Sequence, residues 1–149
     1  MSGTSTSETI VQEITIKAPA MRIFEALTNP DQRMAWWGLK GRFETTHVES
    51  DLRPGGKWLM SGTGMGGKPF VIKGEYRVVE PPTTLSFTWL PDWYPGATES
   101  LVRIDLIEKD GMTAVRRTHS GLTVEGAQAH KGWPQILDWL RAYAERTGS

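Results

Sequence analysis

From Phe43 to Ser120 the chain keeps one habit: apolar residues recur at every second position, and each run ends in turn chemistry. A period of two marks a strand with one face buried and the other wet, because successive side chains point to opposite faces of a sheet. Runs near 43–51, 56–62, 69–80, 84–90, 99–108 and 112–119 are separated by segments such as RPGG, VEPPTT, PDWYPG and KDGM, so a long antiparallel meander is expected. In the 69–80 run, Phe70, Ile72, Tyr76 and Val78 are expected on one face, opposite Lys73, Glu75 and Arg77. A sheet of this size cannot leave its apolar face wet, and the cover must come from the rest of the chain.

That remainder supplies it. Ile10, Gln12, Ile14 and Ile16 alternate with Val11, Glu13 and Thr15 in a first strand that Ala18-Pro19 ends. Ile23, Phe24 and Leu27 lie at helical spacing before Asn29-Pro30 stops that helix, and Asp31 is expected to cap a second short one through MAWWG. Near the C-terminus, Trp133, Ile136, Leu137, Leu140 and Tyr143 form one stripe with Asp138, Arg141 and Glu145 off it, an amphipathic helix that Gly132 and Pro134 should kink or restart. The order strand, two short helices, six strands, long helix predicts an α+β helix-grip fold. In it a curved antiparallel sheet wraps around the C-terminal helix and leaves a cleft where the two diverge, the natural place for a ligand.

Residues 1–8 are expected to form a disordered tail and residues 9–147 a single domain. Seventeen basic residues against seventeen acidic ones give no overall pull toward nucleic acid or an anionic membrane surface. Without cysteine there is no disulfide framework, thiol nucleophile or thiolate zinc site, and a cytoplasmic location is the expectation. No run approaches membrane-spanning length, and the start carries no signal-peptide pattern.

One motif invites a nucleotide. Gly62, Gly64 and Gly67 in SGTGMGGK match G-x-G-x-x-G, yet the pattern has mechanical requirements beyond its spacing. In a dinucleotide site the glycines open a helix whose N-terminus meets the pyrophosphate; here Pro69 and a strand pattern follow instead. A kinase-type glycine loop would need H-R-D and D-F-G partners, and the chain has neither. A hairpin turn is therefore expected.

APAMRIFEALTNPDQRMAWWG, DLRPGGKW, EPPTTLSFTW, THSGL and the H-x-G-W before the last helix, in that order, resemble the family of activator-of-heat-shock-protein-90-ATPase homologues. That family lies within the START-like, Bet v-like SRPBCC superfamily, and the resemblance runs from about Ile10 to Arg146. It implies the helix-grip fold. It also implies one of several activities, since superfamily members include hydrophobic-ligand carriers, aromatase/cyclases and chaperone regulators. The eukaryotic co-chaperone uses an additional N-terminal domain, so direct stimulation of a chaperone ATPase is not expected of this single domain.

Strand parity and the helix stripe nominate Trp36, Trp58, Met60, Phe70, Ile72, Phe87, Trp89, Arg117, His119, Trp133 and Leu137 as the lining of a ligand cavity. If Val115 faces the core, Arg117 and His119 do too. An inward arginine must be paired, wetted at the sheet edge, or facing a cavity that receives an anion. The resemblance implies a structural position for His119 at the end of the last strand, and packing or capping is the expectation for His130. Of the seven tryptophans, the adjacent Trp36 and Trp37 are expected to divide, one in the core and one at a cavity mouth or interface. Trp93 and Tyr94 sit in a turn, where exposed aromatics suit a lid or a homodimer contact.

The three histidines have no ligand spacing, so no metal is expected; no cofactor motif and no catalytic constellation is present. The reading is a carrier of a small hydrophobic, aromatic or acidic ligand. Two alternatives stay open: a cyclase- or hydratase-like enzyme in which Arg117 and His119 polarise a carbonyl, and a chaperone-linked or other protein-interaction module. If SGTGMGGK is only a turn, millimolar ATP or NAD will leave the melting temperature unchanged; a saturable stabilisation abolished by Gly64→Val would reverse that conclusion.

Overall fold

The computed structural model describes residues 8–39, 43–64, 67–91, 99–122 and 134–146. In chain order these form β1 (Glu8–Ile16), α1 (Ala20–Thr28), α2 (Pro30–Trp36), β2 (Gly38–Leu39), β3 (Phe43–Ser50), β4 (Lys57–Thr63), β5 (Pro69–Glu80), β6 (Thr84–Pro91), β7 (Ser100–Lys109), β8 (Met112–Leu122) and α3 (Pro134–Arg146). The strands make one antiparallel sheet in the order β1-β8-β7-β6-β5-β4-β3-β2. From β2 to β8 the path is a meander, and β1 closes it by pairing with the last strand. This is the expected helix-grip, with one element the alternation did not disclose: β2, two residues long, too short to carry a period.

Turn chemistry sets the joints. Asp110 and Gly111 both have positive φ, at 54° and 78°, the two-residue arrangement whose twist matches that of the flanking strands β7 and β8. The glycine-rich segment joins β4 to β5 with Thr63 opposite Pro69, and the Gly67 N–H donates to the Gly64 carbonyl at 3.1 Å. The Gly64 and Gly67 amides are both spent within the turn, so the G-x-G-x-x-G spacing is hairpin geometry.

The break between the first two helices differs in one detail. Asn29, rather than Asp31, caps α2: its side-chain oxygen accepts the Gln32 N–H at 3.1 Å, and Pro30 occupies the first helical position, where no N–H is needed. Asp31 lies one position inside, in the first turn, where its charge still suits the helix dipole.

Parity holds on most strands. On β8, Thr113, Val115, Arg117 and His119 are buried, whereas Ala114 and Arg116 are exposed. β5 departs from it. The register shifts between Tyr76 and Val78, so Val78 stands opposite Ser86 and Val79 opposite the buried Leu85. Val79, not Val78, packs on the core. The extra residue of a bulge turns the end of the strand over, which an alternating pattern alone does not foretell.

The core is continuous from Ile16, Ile23, Phe24 and Leu27 through the inward rows of the sheet to Leu140 and Ala144 on α3. Beside its apolar face, α3 is tied to the body by a hydrogen bond from the Lys17 N–H to Glu145 at 2.9 Å. Among the described residues no helix is long and apolar enough to cross a membrane. Of the expected stripe, Leu137 and Leu140 are buried and Tyr143 packs against the core, whereas Trp133 lies outside the described residues. Leu140 is wholly inaccessible to solvent, so Leu140→Ala is expected to cost about 2–5 kcal/mol in urea unfolding; a midpoint equal to wild type would mean the grip does not carry the fold.

Candidate functional site

The inner face of the sheet meets α2 and α3 at an aromatic cluster. Trp36 and Trp37 have ring centroids 5.1 Å apart, Trp37 and Trp89 5.9 Å, Trp89 and Trp58 5.7 Å, and Trp58 and Phe87 5.4 Å with the rings nearly perpendicular. Tyr76 continues the chain against Phe87 at 6.4 Å. These separations are those of attractive aromatic pairs. The expectation that Trp36 and Trp37 divide is overturned, since both are buried, at 4% and 5% exposure. Trp37 is the C-cap residue, with φ −84° and ψ 98°, so it has left the helix and its side chain no longer follows helical spacing. Trp36 is held from the other end, its Nε1–H donating to the Ala26 carbonyl at 2.7 Å.

Gly74 makes room for part of this cluster. A Cβ there would collide with the Thr88 carbonyl oxygen and with Trp58 Nε1, so the indole of Trp58 lies over a strand position that has no side chain.

A polar chain runs along β8 beside the rings. Arg117 is 2% exposed and hydrogen-bonds through Nη1 to the Gln12 side-chain oxygen on β1, and through Nη2 to His119 Nδ1 at 3.1 Å. Since a guanidinium can only donate, His119 Nδ1 is an acceptor and its proton sits on Nε2, which donates to Ser100 Oγ at 2.7 Å. The Ser100 hydroxyl in turn donates to the Trp89 carbonyl at 3.3 Å. Gln12, Arg117, His119, Ser100 and the β6 backbone thus form one directed chain. Burial pushes the Arg117 guanidinium down to about 9, which leaves it a cation at neutral pH. Arg117 therefore does not snorkel at the sheet edge; it is drawn inside and met by a neutral amide and an imidazole. With Nδ1 occupied by Arg117 and Nε2 by Ser100, His119 is a packing and hydrogen-bonding residue in this state, with no lone pair offered to a substrate.

A second buried arginine was invisible in the sequence. Arg33 on α2 is 3% exposed, and its Cζ lies 4.8 Å from the Trp58 ring centroid, 5.0 Å from that of Trp37 and 5.9 Å from that of Phe87. Burial lowers its basicity below the ordinary arginine range, with Tyr76 acting weakly in the opposite direction. Its Nε–H finds no hydrogen-bond partner. An arginine on a short polar-looking helix is normally an exposed residue; the one clue is its spacing of three from Trp36, which places both on one helix face.

Where sheet, α2 and α3 converge there is a small void of about 20 Å³, room for one water, lined by Leu27, Arg33, Trp36, Trp37, Phe87, Val102, Ile104, Arg117, Leu137 and Leu140. Of the nominated residues, Trp36, Phe87, Arg117 and Leu137 line this void. Trp58, Met60, Phe70, Ile72, Trp89 and His119 are buried around it without reaching it, and Trp133 lies outside the described residues. Val102 and Ile104 were legible in the alternation of LVRIDLIE but carry no chemistry that draws the eye. A larger groove of about 410 Å³, open to water, is lined by the nominated Trp58 with Leu59 and Leu90 and by charges of both signs from Glu49, Lys57, Lys73, Glu75 and Glu99. Trp93, Tyr94 and His130 lie outside the described residues, and no cluster of metal-ligating side chains occurs among those described.

A curved sheet gripping a C-terminal helix over an apolar interior defines the helix-grip class. Residues 17–145 match the model of the family described as activator of Hsp90 ATPase homolog 1-like protein, and the chain belongs to that family. No curated protein matches the chain. Among solved structures, a protein from Rhizobium leguminosarum is 23% identical, with 94% of this chain and 95% of that one covered at a TM-score of 0.79. Protein Ms6760 from Mycobacterium smegmatis is 22% identical over 95% and 90% of the two chains, TM-score 0.80. Protein MLL2253 from Mesorhizobium loti is 26% identical over 94% and 98%, TM-score 0.74. At these identities the likeness is one of fold.

The two arginines of β8 separate the interior from the surface. Arg116 reaches Glu13 at 3.5 Å with more than half its side chain exposed, so Arg116→Ala is expected to change stability by less than about 1 kcal/mol. His119→Phe keeps the shape but removes the partner of both Arg117 Nη2 and Ser100 Oγ, and should cost about 1–3 kcal/mol for each group left unmet. Urea unfolding of both variants checks this; equal midpoints would remove the polar chain from the account of stability.

Proposed function

We propose that the protein binds a small, predominantly apolar ligand between the sheet and α3, at the void bounded by Trp36, Phe87, Val102, Ile104, Leu137 and Leu140. The observation that carries this reading is the position of that void. It lies where the sheet and the helices that cover it converge, lined by apolar side chains apart from Arg33 and Arg117, and a cleft there is the default site of such a fold. Hydrophobic-ligand binding is also the general habit of the wider superfamily to which the family belongs.

A space of about 20 Å³ admits no organic molecule as it stands. Entry therefore requires the walls to part, and they are unequal. The sheet is a continuous hydrogen-bonded ladder from β1 to β2, whereas α3 meets it through side chains, which separate without breaking a ladder. Ligand uptake by outward displacement of α3 follows, with the aromatic cluster on the sheet side remaining in place as the floor. The nominated residues then divide by role: Trp36, Phe87, Arg117 and Leu137 meet the ligand, while Trp58, Met60, Phe70, Ile72, Trp89 and His119 shape the wall behind them.

A neutral fluorescent probe tests the reading without invoking charge. N-phenyl-1-naphthylamine should show saturable enhancement at one site per chain in the folded protein. Val102→Phe, which fills the void at a stability cost of about 1–3 kcal/mol, should weaken binding at least tenfold. No saturable signal in folded wild type, or an undiminished one in the filled variant, would dispose of the site.

A further inference from the structure

Arg33 is one of two arginines buried in this interior, and nothing in the established fold requires it. Moving a cation from water into a protein interior costs several kcal/mol unless it is paired and hydrogen-bonded. What Arg33 has instead is the π faces of Trp37, Trp58 and Phe87, at 4.8–5.9 Å from Cζ. Cation–π attraction offsets part of that cost and satisfies no N–H. The Nε–H stays without an acceptor at 3% residue exposure. No Asp or Glu is among the described residues lining the void that Arg33 faces. A methionine or leucine would fill the same place at lower cost.

Aromatic rings engage a guanidinium through its plane. Its donors lie along the edge, in the fork that matches a carboxylate with two parallel N–H···O bonds. The rings around Arg33 accept no N–H···O bond, so its Nε–H remains open to an acceptor at a residue that lines the void.

We propose that Arg33 is an anion-recognition residue and that the ligand of this site is a carboxylic acid with a flat apolar body, its carboxylate set against the guanidinium edge and its body among Trp36, Phe87 and Ile104. The inference rests on the ligand-binding reading above and adds to it the charge and shape of the ligand. Binding supplies both missing elements at once, a counter-charge and an acceptor, in a site where each is strengthened by exclusion of water. Arg117 also lines the void and shares the unmet Nε–H, but its Nη1 and Nη2 are already bonded to Gln12 and His119, which leaves it less of the two-pronged edge that a carboxylate needs.

Trans-cinnamate and trans-cinnamamide, matched in shape and differing in charge, provide the test by isothermal titration calorimetry at pH 7, with competition against N-phenyl-1-naphthylamine to locate them. Wild type should bind the acid roughly ten- to a hundredfold more tightly than the amide. Arg33→Met should bind both at the wild-type affinity for the amide. Arg33→Lys keeps the charge but not the fork, so it should lose most of the preference; it also carries the comparison if the methionine variant fails to fold. Equal affinities in wild type, or an acid preference that survives in Arg33→Met or is undiminished in Arg33→Lys, would overturn the proposal. If the neutral probe binds and neither cinnamate nor its amide does, the acid proposal falls while the apolar site stands; if the probe also fails, both fall.

Discussion

Everything in this molecule follows from the need to cover one apolar face. An antiparallel sheet of eight strands presents its inward rows on a single side, and apolar area left in water costs about 25 cal/mol for each Å². Curvature brings the rows toward one another, and α1, α2 and α3 complete the cover. Leu140 and Ala144 of α3 are as inaccessible as the central strand residues Trp89 and Ile72, so helix and sheet share one core rather than meeting at a seam. The same geometry produces the site. A ladder and a helix have different surfaces, and where they converge the packing leaves a small remainder.

That remainder is unusual less for its size than for what surrounds it. Two arginines are drawn into an interior otherwise built from aromatic and branched apolar side chains, and they are accommodated by different means. Arg117 is integrated into a directed chain of hydrogen bonds that crosses from β1 through β8 to β7 and β6. This chain fixes the His119 tautomer and makes that residue part of the scaffold. Arg33 is held by rings. The first arrangement is complete in its donors and acceptors at His119; the second leaves the guanidinium Nε–H without an acceptor. A fold that is shared by proteins of many activities acquires its chemistry from such local departures.

Most of the architecture was legible because it is written in periods. Alternation over seven strands, the stripe of Leu137, Leu140 and Tyr143, and the punctuation at Asn29-Pro30 and Asp110-Gly111 are local signals, each set by how a few consecutive residues must point. The inward placement of Arg117 and His119 followed from Val115 by the same parity. Where the account of the sequence failed, a local rule had been extended across a break in the backbone. The bulge after Tyr76 exchanged Val78 for Val79, and the departure of Trp37 from helical geometry let two adjacent tryptophans share one interior.

By itself the sequence determined the class of fold, the order and direction of its elements, and which face of most strands is buried, because those depend on spacing along the chain. Tertiary structure alone decided that Arg33 is interior, that the indole of Trp58 lies over Gly74, and that the space under α3 is water-sized rather than ready-made for a ligand. Each of these is a relation between residues far apart in the chain. An arginine is buried only when three rings from α2's own end, β4 and β6 arrive around it, and no pattern within a seven-residue helix records that arrival.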